Sequence, residues 1–78
     1  MFNSLKTLLV EEMNINEHDI VLDAELVNDL GFNSLELADL VVLCEDRFNC
    51  TFDDKELPKL LTIRDVVNYL ELNAGTID

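Results

Sequence analysis

A serine set among turn-forming residues is the most chemically suggestive feature of the chain. The segment Asp29-Leu30-Gly31-Phe32-Asn33-Ser34-Leu35-Glu36-Leu37 places the Ser34 hydroxyl in the first turn of an expected helix. Asn33 fits the N-cap and Glu36, three residues on, fits its reciprocal partner, with turn-prone Gly31 just upstream. Unpaired N–H groups and the positive end of the helix dipole favour an anion at an exposed site of this kind by roughly 0.3–1 kcal/mol. That setting suits covalent attachment of a phosphate, and a small side chain at a helix mouth is open to a modifying enzyme. The same residues are also what an ordinary capped helix uses. Taken alone, the segment leaves both readings open.

No other group joins Ser34 to make a catalytic set. Asn33-Ser34 is not a G-x-S-x-G elbow, and no Ser/His/Asp or Cys/His arrangement can be assembled. His18 is the only histidine and lies in a polar stretch, where exposure to solvent is expected. Cys44 and Cys50 are six residues apart, with no C-x-x-C and no histidine nearby. That spacing supports neither a disulfide framework nor a zinc site. Cys44 reads as a small buried hydrophobe and Cys50 as an incidental thiol.

The elements that must position Ser34 read as helices. Phe2, Leu5, Leu8, Leu9 and Met13 recur at helical spacing, with Asn3 or Ser4 available as a start cap and Asn14 as a left-handed stop. A polar connection then runs from about Asn14 to Asn33, carrying Ile15, Ile20, Leu22, Leu26 and Leu30 as possible anchors. A loop of that length is more often functional than not. The second helix runs from the Asn33 cap to Phe48, and Leu37, Leu40, Val41, Cys44 and Phe48 form its core stripe. Glu36, Asp39 and Asp46 lie on the other side, beside a second apolar strip of Leu35, Ala38 and Val42. Asp53 and Glu56 repeat the cap spacing and open a short third helix that Pro58 should limit. Thr62 with Asp65 caps a last helix carried by Ile63, Val66, Val67 and Leu70, and Asn73 to Asp78 is expected to fray. The expected architecture is an all-α four-helix bundle: three main helices, one short third helix and a long first loop.

Composition narrows the partners. The chain has 78 residues with 17 acidic and 5 basic side chains, a formal net charge of −12, and 49% hydrophobic residues. This is one domain, 1–78, with enough Leu, Val and Ile for a small core. Five scattered cations cannot make the basic patch that nucleic acid requires, and anionic membranes are disfavoured for the same reason. The aliphatic run Leu40–Leu43 is far short of the roughly 20 residues needed to span a bilayer, so no membrane insertion is expected. Met1 is followed by neither a basic region with an apolar stretch nor an Arg/Ser-rich segment, and a cytoplasmic location is expected. The charge argues for a monomer and for steering toward basic surfaces on other proteins.

The segment around Ser34 resembles the phosphopantetheine attachment motif of acyl carrier proteins, in which D-S-L follows L-G. The likeness extends to Ala24–Leu30 (AELVNDL), to Leu40–Phe48 with its Glu45-Asp46 pair, and to Thr62–Leu70 with Tyr69. It covers nearly the whole chain, and length, acidity and helix order agree with it.

The resemblance implies that Ser34 receives 4′-phosphopantetheine from coenzyme A through a separate Mg²⁺-dependent phosphopantetheinyl transferase. The arm would end in a thiol holding acyl groups as thioesters, and the chain itself would be no enzyme. Asn33, Leu35, Glu36, Ala38, Asp39, Val42, Glu45 and Asp46 match positions on or beside the family's recognition helix, and Asp54 and Glu56 could extend the acidic face. The implied partners are acyl-chain synthases, transferases and reductases with basic docking surfaces. The family can also shelter an acyl chain between its helices, for which Leu37, Leu40, Val41, Cys44, Phe48, Phe52, Ile63, Val67 and Leu70 are the expected lining, although an ordinary core needs the same residues.

One residue departs from the pattern. Asn33 stands where the family usually has aspartate before the modified serine, which keeps the cap but removes a charge beside the attachment point. Fatty acid biosynthesis is the commonest role that the resemblance implies. Asn33 gives weight to a dedicated carrier for a specialised polyketide or lipid-modifying pathway. An acidic helical adaptor with no prosthetic group is the alternative of a different class.

Overall fold

Leucines at positions five, eight and nine commit the amino-terminal segment to one buried helical face. The computed structural model describes residues 1–73. In it, α1 spans Phe2–Met13, α2 spans Ser34–Phe48 and α3 spans Ile63–Asn73, with short 3₁₀ turns at Glu17–Asp19 and Leu57–Lys59. Leu5, Leu8 and Leu9 of α1 meet Leu40, Cys44 and Phe48 of α2 and Ile63, Val66, Val67 and Leu70 of α3 in one core. Among the described residues no buried polar or charged side chain interrupts it. The expected fraying of 74–78 lies outside the described residues.

The helix ends follow their sequence signals with one exception. Asn14 closes α1 in the left-handed conformation and donates its N–H to the Leu9 carbonyl. Asn49 closes α2 in the same way, donating to the Glu45 carbonyl. The exception is the start of α1, where neither Asn3 nor Ser4 is the cap. Met1 takes that place without a side-chain bond, and its carbonyl accepts the Leu5 N–H at 3.0 Å. The apolar face begins at Phe2, so the helix begins there too, and Asn3 falls inside the first turn.

The long connection after α1 is a strap pinned to the core. Ile20, Ala24, Leu26 and Phe32 are all buried. The Leu26 N–H donates to the Leu61 carbonyl at 2.9 Å, the Ile63 N–H to Ala24 at 3.0 Å and the Arg64 N–H to Leu22 at 2.9 Å. These bonds fasten the strap to the entrance of α3, where Glu25 and Thr62 form an isolated antiparallel bridge. An Arg64–Asp23 ion pair at 2.7 Å lies over the same junction.

The short third element is smaller than expected. Asp53 organises a turn: its side chain accepts the Lys55 N–H at 2.9 Å and its carbonyl accepts the Glu56 N–H at 2.8 Å. Only Leu57–Lys59 is helical, as a 3₁₀ turn with Pro58 within its first two residues. Pro58 therefore starts this turn rather than ending one. A missing N–H costs nothing at a position that has no carbonyl to reach.

Candidate functional site: the entrance of α2 and its cleft

The strap delivers the chain to α2 through a turn that only a few residues tolerate. Gly31 has φ 75°, a left-handed conformation that penalises any side chain even though the space around it is open. Phe32 then plunges into the core and fixes where α2 begins. Asn33 Oδ1 accepts the Glu36 N–H at 2.9 Å, and Glu36 Oε1 accepts the Asn33 N–H at 3.2 Å. This is the expected capping box. It leaves Ser34 as the first helical residue, exposed, with its N–H and that of Leu35 beyond the reach of any intrahelical carbonyl.

Beside Ser34 opens an apolar cleft of about 380 Å³. One wall is α2, through Leu37, Ala38, Val41 and Val42; the other is Phe52, Leu57 and Leu60, over Leu26, Leu40 and Val66. Ser34 supplies the one polar side chain in that lining. From Ser34 to Val41 the wall runs about 10 Å along the helix axis. An exposed hydroxyl, a helix amino terminus and an apolar cleft thus share one mouth. These residues fit a phosphate diester on Ser34 continued by an apolar group.

The lining differs from the one expected. Leu37, Leu40, Val41 and Phe52 do face the cleft, whereas Cys44, Phe48, Ile63, Val67 and Leu70 belong to the core behind it. Leu26, Leu57, Leu60 and Val66 line it as well, and Leu57 and Leu60, three residues apart around Pro58, are the signal that the sequence offers for this wall. Ala38 and Val42 of the second apolar strip also reach the cleft, at its α2 rim. Leu35 does not, and stands 78% exposed beside Ser34.

The residues expected to meet partners divide into two groups. Glu36, Asp39 and Val42 border a shallow groove with Glu12 and Met13 of α1, where the Glu12 carboxylate is paired with Arg47 of α2 at 3.4 Å. Asp46 is exposed further along α2, and Asp54 is exposed before the 3₁₀ turn. Glu56 is half-buried and pairs with Lys59 at 3.4 Å. Glu45 is also half-buried, and its carboxylate accepts the Phe52 N–H at 2.7 Å. Its charge points into the fold.

The thiols have no visible part in the site. Both are free; Cys50 Sγ donates weakly to the Cys44 carbonyl at 3.8 Å. Burial pushes the Cys44 thiol up to about 12, with smaller pushes from Cys50 and Glu45 opposed by Arg47. Cys50 is also raised, by burial and then by Glu45. Both stay protonated and poorly nucleophilic at neutral pH. Among the described residues no cluster of His, Cys, Asp and Glu could hold a metal ion, and no helix is long and apolar enough to cross a membrane.

Comparison with known proteins agrees with this geometry. Residues 3–70 match the family described as the phosphopantetheine attachment site. An acyl carrier protein of Wolinella succinogenes is 37% identical over 73 residues, covering 94% of this chain and 96% of that protein. Acyl carrier proteins of Thermotoga maritima and Coprothermobacter proteolyticus are 36% and 37% identical, covering 96% and 97% of this chain and 93% of each relative. The fold and site thus define a phosphopantetheine-bearing carrier domain, and the chain belongs to the acyl carrier protein family. Members are carriers and not enzymes, they work with synthases and transferases, and their attachment domain carries 4′-phosphopantetheine covalently.

Proposed function

We propose that Ser34 is the residue that bears 4′-phosphopantetheine, and that the chain presents acyl intermediates to the enzymes of fatty acid biosynthesis in the cytoplasm. The observation that carries this reading is the exposed Ser34 hydroxyl at the first turn of α2, at the mouth of an apolar cleft. When bound, the arm supplies a thiol that holds acyl groups as thioesters. The chain's own residues do the rest. The capping box fixes the direction of the α2 entrance, the N–H groups of Ser34 and Leu35 would be available to a phosphate on Ser34, and the cleft would shelter an apolar chain from water.

The docking face is the exposed side of α2: Leu35 as an apolar contact, framed by Glu36, Asp39 and Asp46, with Asp54 extending it toward the 3₁₀ turn. Such a face steers toward basic surfaces on a phosphopantetheinyl transferase and on acyl-chain synthases, transferases and reductases. Asn33 favours a second reading within the same class, a dedicated polyketide or lipid-modifying carrier with its own transferase. Asn33 makes the cap bond that aspartate would make, so only the charge is missing.

Incubation with coenzyme A, Mg²⁺ and a broad-specificity transferase, followed by intact-mass spectrometry, tests the attachment. Wild type should gain one phosphopantetheinyl group and Ser34→Ala none. If wild type gains nothing even with a transferase from the same source, the attachment reading fails.

A further inference from the structure

Phe52 shares the cleft wall opposite α2 with Leu57 and Leu60, and although it sits in irregular backbone between α2 and the 3₁₀ turn it is only 7% exposed. Its backbone is held from both helices. The Phe52 N–H donates to the Glu45 carboxylate of α2 at 2.7 Å. On either side of it, the Tyr69 hydroxyl of α3 accepts the Asp53 N–H and donates to the Thr51 carbonyl, each at 3.1 Å. The Phe52 ring stacks on the Tyr69 ring with centroids 4.6 Å apart and planes 22° from parallel. Glu45 gathers the same loop a second way, since its carbonyl accepts the N–H groups of Asn49 and Cys50.

Three amides of the descending loop therefore end on one residue. Asp39 and Asp46 are exposed and Glu36 turns its carboxylate to the Asn33 amide of its own helix entrance, whereas the half-buried Glu45 carboxylate bonds across to the descending loop. Without the carboxylate bond, the Phe52 amide would lose its partner and the Tyr69 bonds to Thr51 and Asp53 would be left to place this residue, so the ring could move away from α2 as the cleft fills.

We propose that Glu45 is a positioning residue: through Phe52 it sets the inner wall of the cleft, and so limits the length of the apolar acyl group that the cleft accepts. This rests on the proposed attachment at Ser34, whose hydroxyl shares the mouth of that cleft. A hydrogen-bond acceptor at the end of the side chain is what the role requires. Glutamine keeps that acceptor and alanine does not.

The test loads the full chain with butyryl, hexanoyl, octanoyl, decanoyl or dodecanoyl phosphopantetheine from the matching acyl-coenzyme A. The readout is the rise in melting temperature of each acyl form over the unacylated holo form of the same variant. Wild type should show its largest rise with one member of the series. Glu45→Ala and Phe52→Leu should move that maximum to a longer member, while Glu45→Gln should leave it in place. A merely structural role would lower every melting temperature of Glu45→Ala and leave the maximum where it was, which would overturn the proposal. So would a Glu45→Gln maximum displaced as far as that of alanine, or a wild type indifferent to chain length. If Glu45→Ala does not fold, an unchanged maximum in Phe52→Leu overturns it. Failure of wild type to take up the arm at all would remove the attachment reading as well, and is seen at the loading step.

Discussion

Two helices of this molecule begin with the same device and put it to opposite uses. At α2, Asn33 and Glu36 exchange bonds between side chain and backbone; at α3, Thr62 and Asp65 do the same, at 3.2 and 3.1 Å. After the first cap comes Ser34, exposed and facing a cleft. After the second comes Ile63, with no exposed surface. Asp65 also takes the Leu61 N–H at 3.0 Å, and the strap from the first loop crosses this entrance through the Leu26, Ile63 and Arg64 amides. A capping box fixes where a helix starts. What the neighbouring chain does decides whether the first turn is an open platform or a clamp.

The largest effect expected from this contrast is functional. Ser34→Ala should abolish modification while changing stability by no more than about 0.5 kcal/mol, because the side chain is exposed. Intact mass and denaturant unfolding of the same sample check both halves. At the other entrance the effect should be on folding: Ile63→Ala should cost about 2–5 kcal/mol. Leu35→Ala, next to the open cap, should stay within about 0.5 kcal/mol. Comparable losses in urea unfolding would erase the distinction between the two entrances.

Cap side chains sharpen the contrast further. Asp65→Ala strips a carboxylate that holds two amides and should cost about 1–3 kcal/mol, against about 0.5–1 kcal/mol for Glu36→Ala, whose single bond is exposed to water. Differential unfolding of the two variants reads this directly.

These entrances also show what sequence reasoning could and could not reach. Both caps, the left-handed Asn14 stop, the burial of Cys44 and the exposure of Ser34 follow from local chemistry, where partners lie within a few residues. The strap was harder. Its apolar residues mark Ile20 and Leu26 as anchors, and both are buried, but Ala24 and Phe32 are buried as well without such a signal, and bonds such as Leu26 to Leu61 join residues too distant in sequence to leave a local trace. The cleft lining was mixed for the same reason. Periodicity separates a buried face from an exposed one, but not a core residue such as Val67 from a cleft residue such as Val66. Glu45 resembled its acidic neighbours on α2 until the position of Phe52 gave its carboxylate an internal partner.

A smaller effect comes from the core between the two entrances. Burial holds the Cys44 thiol up at about 12, against 9.0 for an unburied thiol. Between those values the folded chain keeps a proton that the unfolded chain has released. This group's contribution is therefore fully present below about pH 9 and declines as the pH rises toward about 12. Unfolding midpoints measured above and below pH 9 should show the decline, and Cys44→Ala should flatten it. The smallest structural effect belongs to Asn33→Asp, where cap strength should change by only a few tenths of a kcal/mol, the two residues being close to equal as N-caps. The restored charge should raise the rate of modification by a generic transferase. Equal rates for the two forms would show that the charge at this position is immaterial.

The most direct measurement is the location of the added group on the chain. After modification, proteolysis and fragment mass spectrometry should find a single phosphopantetheinyl group, on the peptide containing Ser34 and on the Ser34 hydroxyl itself, with Thr62 of the clamped entrance untouched. A group found on any other residue, or a modified Ser34→Ala chain, would contradict the assignment of the α2 entrance as the attachment site.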